Sequence, residues 1–222
     1  MTKRSYTLQS LQCIAAAVPL ILVGCQPAIH SQNSAAQRNS AISTPVIEDQ
    51  RSTSASAQTL EQQALRIQQA LANGDYASIT NDIHPTRGVR FSMYAYVRPE
   101  SDKAFSRAQF AQYLQESDIR FTWGKKDGSG KPLITPLPDY LQTWVHADEF
   151  GDESTLTIND SQASGDSIDN LRKIYQNNDY VEFYHDGSEQ YSGMDWRAMR
   201  LVFDEYKGRR YLVAIISDQW TV

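Results

Sequence analysis

The sequence predicts an α+β domain in which N-terminal helices pack on an antiparallel sheet that ends in a β-meander. Residues 59–72 place apolar side chains at helical spacing behind a capping box. Residues 180–220 instead have the apolar and β-branched composition of strands. Within them, Lys207-Gly208 separates two strand-like runs by the two residues that a tight hairpin requires. Helices early and strands late together indicate the α+β class.

The helices are predicted mainly from their caps. Thr59 and Gln62 form a capping box at the first helix, which Asn73-Gly74 ends. Ser106 and Gln109 form a second capping box. The helical segments that we expect after the first one are residues 75–83, residues 107–116, a segment opened by Thr135-Pro136, and one or two turns in residues 167–175.

The strands are predicted at residues 89–97, 120–124, 180–185, 196–206 and 209–220. A Lys207-Gly208 turn places Phe203 opposite Leu212 and Glu205 opposite Arg210. The same register, continued without interruption, places Arg197 opposite Asp218 as a cross-strand ion pair.

The N-terminus has the order of a secretion signal. Lys3 and Arg4 precede an apolar run at residues 11–23 that is too short for a stable anchor helix. The run ends in Leu22-Val23-Gly24-Cys25, which resembles the lipobox of bacterial lipoproteins. The resemblance implies that residues 1–24 are removed and that Cys25 carries lipid. Gln26 then implies sorting to the outer membrane, facing the periplasm, in a cell with two membranes, and otherwise placement on the outer face of the cell membrane.

The composition of residues 25–58 predicts a disordered tether, because Ser, Ala, Gln, Asn and Thr dominate there and large apolar side chains are scarce. Residues 59–222 then form one globular domain of ordinary size. Without residues 1–24 the chain has 19 Lys and Arg against 26 Asp and Glu, a net charge near −7. That balance argues against a nucleic-acid partner and against a basic membrane-binding face.

A family resemblance rests on the opening helix, the stretch "ALANGDYASITNDIHP" and the long terminal meander. This order resembles the nuclear-transport-factor-two-like cone shared by the ketosteroid isomerase and polyketide cyclase families. The resemblance implies a curved sheet wrapped on the helices, with a pocket at the open end of the cone. None of the acids in this chain aligns by motif with the catalytic acids of those families, so their activity is not transferred. The chain is also similar to bacterial lipoproteins through "HPTRGVRFSMYAYV" and "GMDWRAMRLVF…YLVAIISDQWTV", a resemblance that implies no activity.

His84 is the candidate for acid–base chemistry, because a histidine there would titrate near neutral pH. The alternative is a histidine that bonds backbone groups at the end of a helix. The candidate ligand-binding residues are Arg90, Tyr94, Asp195, Trp196, Asp218 and Trp220. Arg90 and Tyr94 share one face of a strand, and the hairpin register brings Asp195 near Trp220 and Trp196 near Gln219. Such a polar and aromatic rim binds flat ligands, or it closes the end of a sheet.

The histidines have no metal-binding spacing, so no metal and no cofactor are expected. Three functions stay open. The first is a lipid-anchored cell-envelope protein that binds a small molecule or an envelope protein without catalysis. The second is a small-molecule enzyme of isomerase, cyclase or hydrolase type with a general base in the same pocket. The third is a structural envelope protein.

Overall fold

The computed structural model describes residues 58–162 and 168–221, which belong to one compact unit. The predicted signal peptide at residues 1–24, the lipidation site Cys25 and almost all of the predicted tether lie outside the described residues. Among the residues that are described, no helix has the length and apolar character needed to cross a membrane.

The described residues contain four α-helices and eight β-strands, together with shorter helical segments. The helices are α1 (Leu60–Ala72), α2 (Arg107–Gln115), α3 (Leu137–Tyr140) and α4 (Leu171–Ile174). Short 3-10 helices cover Tyr76–Asp82, Ala147–Glu149 and Glu189–Tyr191, and α3 continues as a π-helix over Leu141–Val145. The strands are β1 (Val89–Ser92), β2 (Lys103–Phe105), β3 (Phe121–Lys125), β4 (Pro132–Thr135), β5 (Thr155–Ile158), β6 (Asp179–His185), β7 (Arg197–Tyr206) and β8 (Arg209–Gln219).

Six strands form one curved, unclosed sheet in the order β2-β1-β8-β7-β6-β5. The sheet is mixed, so the antiparallel prediction is wrong at one pair: β1 runs parallel to β8, with Arg90 opposite Ala214. The strands β3 and β4 form a separate antiparallel hairpin. The predicted meander of three strands near the C-terminus is present as β6, β7 and β8.

Both predicted capping boxes are present. Thr59 accepts the Gln62 backbone N–H at 3.1 Å, and the Gln62 side chain accepts the Thr59 N–H at 3.0 Å. Ser106 and Gln109 exchange the same two bonds at 3.2 and 2.9 Å. Lys207 and Gly208 have φ values of 53° and 71°, the left-handed conformation that a two-residue hairpin turn needs at both positions.

The strand predicted over residues 89–97 is shorter than expected. It ends at Ser92, whose hydroxyl donates to the Tyr94 carbonyl at 2.8 Å and draws the chain out of the ladder. Residues 93–102 therefore form a loop beside the end of β8 rather than more sheet. This loop becomes one wall of the groove described below.

The register of β7 and β8 changes at a β-bulge. Phe203 lies opposite Leu212 and Glu205 opposite Arg210, as predicted. Beyond Val202, however, Val213 is an extra residue, so that Val202 lies opposite Ala214 and Ala198 opposite Asp218. The predicted pairing of Arg197 with Asp218 is therefore wrong by one residue.

Both faces of the large sheet are buried. One face carries Val181, Met199, Leu201 and Phe203 and contributes to the main core, which also includes side chains of α1, α2 and α3. The other face carries Val202, Ala214 and Ile216, which pack against Val97, Leu171 and Tyr175. Because the second face is covered as well, polar side chains on it must find partners inside the protein.

Candidate functional site

An open groove of about 1360 Å³ lies between the loop of residues 93–102 and the β3–β4 hairpin. Its walls combine apolar surface from Met93 and Trp123 with charged side chains of both signs. The charged residues that border it are Arg98, Glu100, Asp102, Lys103, Lys125, Lys126, Asp127 and Asp218.

The apolar side of the groove is rigidly held. The Trp123 indole N–H donates to the Thr135 carbonyl at 2.9 Å, and its ring stacks on Tyr140 at 3.7 Å between centroids. The Trp144 indole likewise donates to the Met93 carbonyl at 3.0 Å. These bonds satisfy the buried N–H groups and fix the rings before any ligand arrives.

Tyr94 borders this groove and also a smaller cavity of about 260 Å³ next to it. Its hydroxyl accepts the Asp127 backbone N–H at 2.8 Å, and its ring meets Trp144 edge-on at 5.6 Å. Burial raises the pKa of the Tyr94 hydroxyl, so it stays protonated at neutral pH. Trp220, which is 39% exposed, borders the smaller cavity. The structure therefore brings Tyr94, Asp218 and Trp220 to one region.

Asp218 contacts the groove from a buried ion-pair cluster. Its carboxylate lies 3.2 Å from Nη2 of Arg200, whose Nε lies 2.6 Å from Glu182. The side chains of all three residues are fully buried. Burial alone lowers the pKa of the Arg200 guanidinium, but the carboxylates of Glu182, Asp218 and Asp169 raise it above its ordinary value. Arg200 is consequently charged at any physiological pH.

Arg197, the partner predicted for Asp218, pairs with Glu149 instead, at 3.0 Å. The bulge at Val213 explains the exchange. It puts Asp218 and Arg200 on the same face of the sheet, diagonal to one another, while Arg197 lies on the other face. The Arg200 and Glu182 pair was not anticipated, although single charged residues inside the apolar runs "YVEFY" and "AMRLVF" mark it in the sequence.

Arg90 does not border either cavity but shapes a wall of the groove. Its guanidinium donates to the Pro99 and Asp102 carbonyls at 3.1 and 3.4 Å. The Arg98 backbone N–H donates to the Asp102 carboxylate at 2.7 Å. Burial raises the pKa of that carboxyl. Arg90 is therefore a residue that positions the loop rather than a ligand contact.

Asp195 and Trp196 also lie outside both cavities. Asp195 accepts the Ser188 backbone N–H at 2.6 Å and the Ser188 hydroxyl at 2.8 Å, and these bonds lower its pKa. The ring of Trp196 lies 6.1 Å from the ring of Tyr184. The backbone carbonyl of Trp196 accepts the backbone N–H of Trp220. The side chains of Asp195 and Trp196 are thus used in contacts within the protein at this end of the hairpin, which fits the alternative that they close the end of the sheet.

His84 is buried and bonds backbone groups. Its Nδ1 accepts the N–H groups of Thr86 and Arg87 at 3.2 and 2.9 Å, which places the remaining proton on Nε2. Burial lowers the pKa of this imidazole, Asp204 opposes the shift, and Arg87 and Arg107 reinforce it. His84 borders neither cavity. Because it bonds the backbone just after a helical segment, its environment fits the alternative of a histidine that ends a helix.

The part of the chain that the structure describes contains no cluster of three or more metal-binding side chains. No protein-family model matches this chain, and no curated protein matches it.

Proposed function

We propose that this chain is a lipid-anchored cell-envelope protein whose α+β domain binds a ligand or partner in the groove, without catalysis. The cone-like wrapping of N-terminal helices on the curved sheet belongs to the same proposal. The observation that supports this proposal is the groove, which combines preorganised aromatic surface with charges of both signs in a concave site.

The composition of the groove favours an amphipathic ligand. Trp123 and Met93 offer apolar contact, while Lys125 and Lys126 on one side face a border that includes Glu100 and Asp102. A ligand with an apolar body and charged ends of both signs, such as a short peptide, matches these walls. The volume exceeds that of a typical small-molecule pocket, which also favours an elongated ligand.

A binding role agrees better with the local chemistry than a catalytic one. A general base needs to lie within hydrogen-bond reach of the reacting group. Near the groove, the Tyr94 hydroxyl is bonded to Asp127 and the Asp218 carboxylate is paired with Arg200. His84, the candidate base, is elsewhere and already accepts two backbone N–H groups.

The envelope location is supported by the sequence alone, through the Leu22-Val23-Gly24-Cys25 lipobox and the polar stretch that follows it. A purely structural envelope protein shares these features. The groove favours the binding role, since a protein that only fills space does not require a charged concavity.

The experiment is native mass spectrometry of the protein purified from its own host, with two variants. Ser101 is exposed and borders the groove, so Ser101→Trp fills it, whereas Ala104→Trp adds the same ring to an exposed position that does not border the groove. We expect a retained mass that is lost in Ser101→Trp and kept in Ala104→Trp. An empty wild-type protein, or a mass retained by both variants, would refute the groove as the binding site.

A further inference from the structure

The tip of the β7–β8 hairpin, Tyr206-Lys207-Gly208-Arg209-Arg210-Tyr211, concentrates cations and tyrosines at one end of the sheet. The Lys207 Nζ lies 5.2 Å from the centre of the Tyr206 ring, and the Arg209 guanidinium lies 5.1 Å from the centre of the Tyr211 ring. We call these six residues the basic tip. Both Lys207 and Arg209 are exposed, and both tyrosines are half-buried.

Among the described residues, two cations of the basic tip have no acidic partner. The side chains of Lys207 and Arg209 form no ion pair or hydrogen bond with any residue in the described ranges, although each lies over a tyrosine ring. Arg107, which also approaches the Tyr211 ring, donates to the backbone carbonyls of Asn81 and Ile83. The tip and its neighbour therefore present positive charge to solvent.

Two acids close to the basic tip are paired with arginines that lie outside it. Asp204 is paired with Arg87, and Asp82 is paired with Arg66. Glu205 lies directly opposite Arg210 in the hairpin. The net charge of the chain, −5, thus conceals a local excess of positive charge at this end of the domain.

The chain enters the domain at the same end. The carbonyl of Gln58, the first described residue, accepts from Nη1 of Arg210 at 3.5 Å. The point at which the described chain begins is thus nearer the basic tip than the groove, because Arg209 and Asp218 lie near opposite ends of β8. Asp218 is nine residues after Arg209 along the strand, a distance on the order of 30 Å.

We propose that the basic tip docks on the anionic headgroups of a phospholipid membrane and so directs the groove away from that surface. The exposed cations supply attraction to the anionic lipid, and the half-buried tyrosines have the amphipathic character of interfacial residues. The orientation argument rests on the lipid anchor of the proposed function, whereas the charge argument does not.

The test measures partitioning of the full chain onto vesicles of neutral phosphatidylcholine and onto vesicles with about a third phosphatidylglycerol. All proteins carry Cys25→Ser, so that attached lipid does not saturate binding. Wild type is compared with Lys207→Ser/Arg209→Ser and with a matched control, Arg120→Ser/Lys173→Ser. The control removes one lysine and one arginine that are exposed but lie outside both the tip and the groove.

We expect the tip variant to bind the anionic vesicles about 30-fold more weakly, about fivefold for each cation, while binding to neutral vesicles stays unchanged. The control variant should change binding less than about twofold, because neither of its charges belongs to the tip and salt screens charges that do not touch the lipid surface. Equal losses in the two variants would mean that net charge and not the tip drives binding, and no loss in the tip variant would overturn the docking.

Two further measurements separate the membrane from other causes. Inorganic phosphate, added at constant ionic strength, should leave vesicle binding unchanged, and displacement at millimolar phosphate would show a single-phosphate site instead. Thermal unfolding of the tip variant should match that of wild type, since both residues are at the surface. Failure of the lipid anchor would be seen separately, as release of the protein that keeps Cys25 from membranes at high salt, which screens the tip but does not detach an acyl chain.

Discussion

Replacing Arg200 with methionine removes the guanidinium that lies between two buried carboxylates. In the wild-type protein it contacts Glu182 at 2.6 Å and Asp218 at 3.2 Å, and it donates to the Ser161 hydroxyl at 3.1 Å. Methionine replaces the aliphatic stem of arginine with an unbranched apolar side chain that carries no charge. The main consequence is therefore electrostatic, since two buried carboxylates lose their cation.

Breaking a buried ion pair by removing one partner costs about 3–5 kcal/mol. Arg200 contacts two fully buried carboxylates, Glu182 and Asp218, and lies 3.9 Å from the more exposed Asp169, so we expect a loss near the upper end, about 5 kcal/mol. A domain of this size has a free energy of unfolding of about 5–15 kcal/mol, so the variant should retain at most about 10 kcal/mol at 25 °C. With a urea dependence of about 2 kcal/mol per molar, the unfolding midpoint falls by about 2.5 M.

Urea unfolding followed by tryptophan fluorescence measures this loss, with Arg197→Met as the matched control on the same strand. Arg197 pairs with Glu149, and the two side chains are partly exposed, at 19% and 34%, so that loss of this pair should cost only about 1 kcal/mol. Adding Glu182→Gln and Asp218→Asn to Arg200→Met should restore part of the loss, because no buried charge is then left. Losses of equal size in Arg200→Met and Arg197→Met would refute the electrostatic account.

Two further predictions concern pH and location. The pKa of His84 is lowered in the folded protein, so the unfolded chain binds more protons below about pH 6.5 and the free energy of unfolding should fall there, by at most about 1.4 kcal/mol per pH unit. His84→Asn keeps an acceptor near Nδ1 but does not titrate, so urea unfolding at several pH values should show a flatter profile between that pH and the lowered pKa. An identical profile would remove His84 as the cause. Cys25→Ser should move the protein from the membrane fraction to the soluble fraction of its host, and unchanged membrane partitioning would refute lipidation at Cys25.

Local structure was largely predictable because its causes are local. The capping boxes at Thr59 and Ser106 involve residues three apart, and the Lys207-Gly208 turn needs only the φ values of two neighbours. The same turn correctly sets the register as far as Phe203. Each of these features depends on a few adjacent residues, whose preferences can be assessed without knowing the rest of the fold.

The candidate site was predictable only in part. Tyr94, Asp218 and Trp220 border neighbouring cavities, whereas Arg90, Asp195 and Trp196 do not. The difference arises from the early end of β1 at Ser92 and from the bulge at Val213, which together change which side chains meet. Alternation along a strand cannot reveal an inserted residue, because a bulge depends on packing against the partner strand.

The sequence by itself determined the capped helix starts, the hairpin turn and the terminal meander, all of which are encoded in short stretches of neighbouring residues. Only the tertiary structure decided that β1 runs parallel to β8, that Arg200 pairs with Glu182 and Asp218, and that a groove lies beside residues 93–102. These features join segments that are far apart in the chain. Their stability depends on burial of both faces of the sheet, which no single segment encodes.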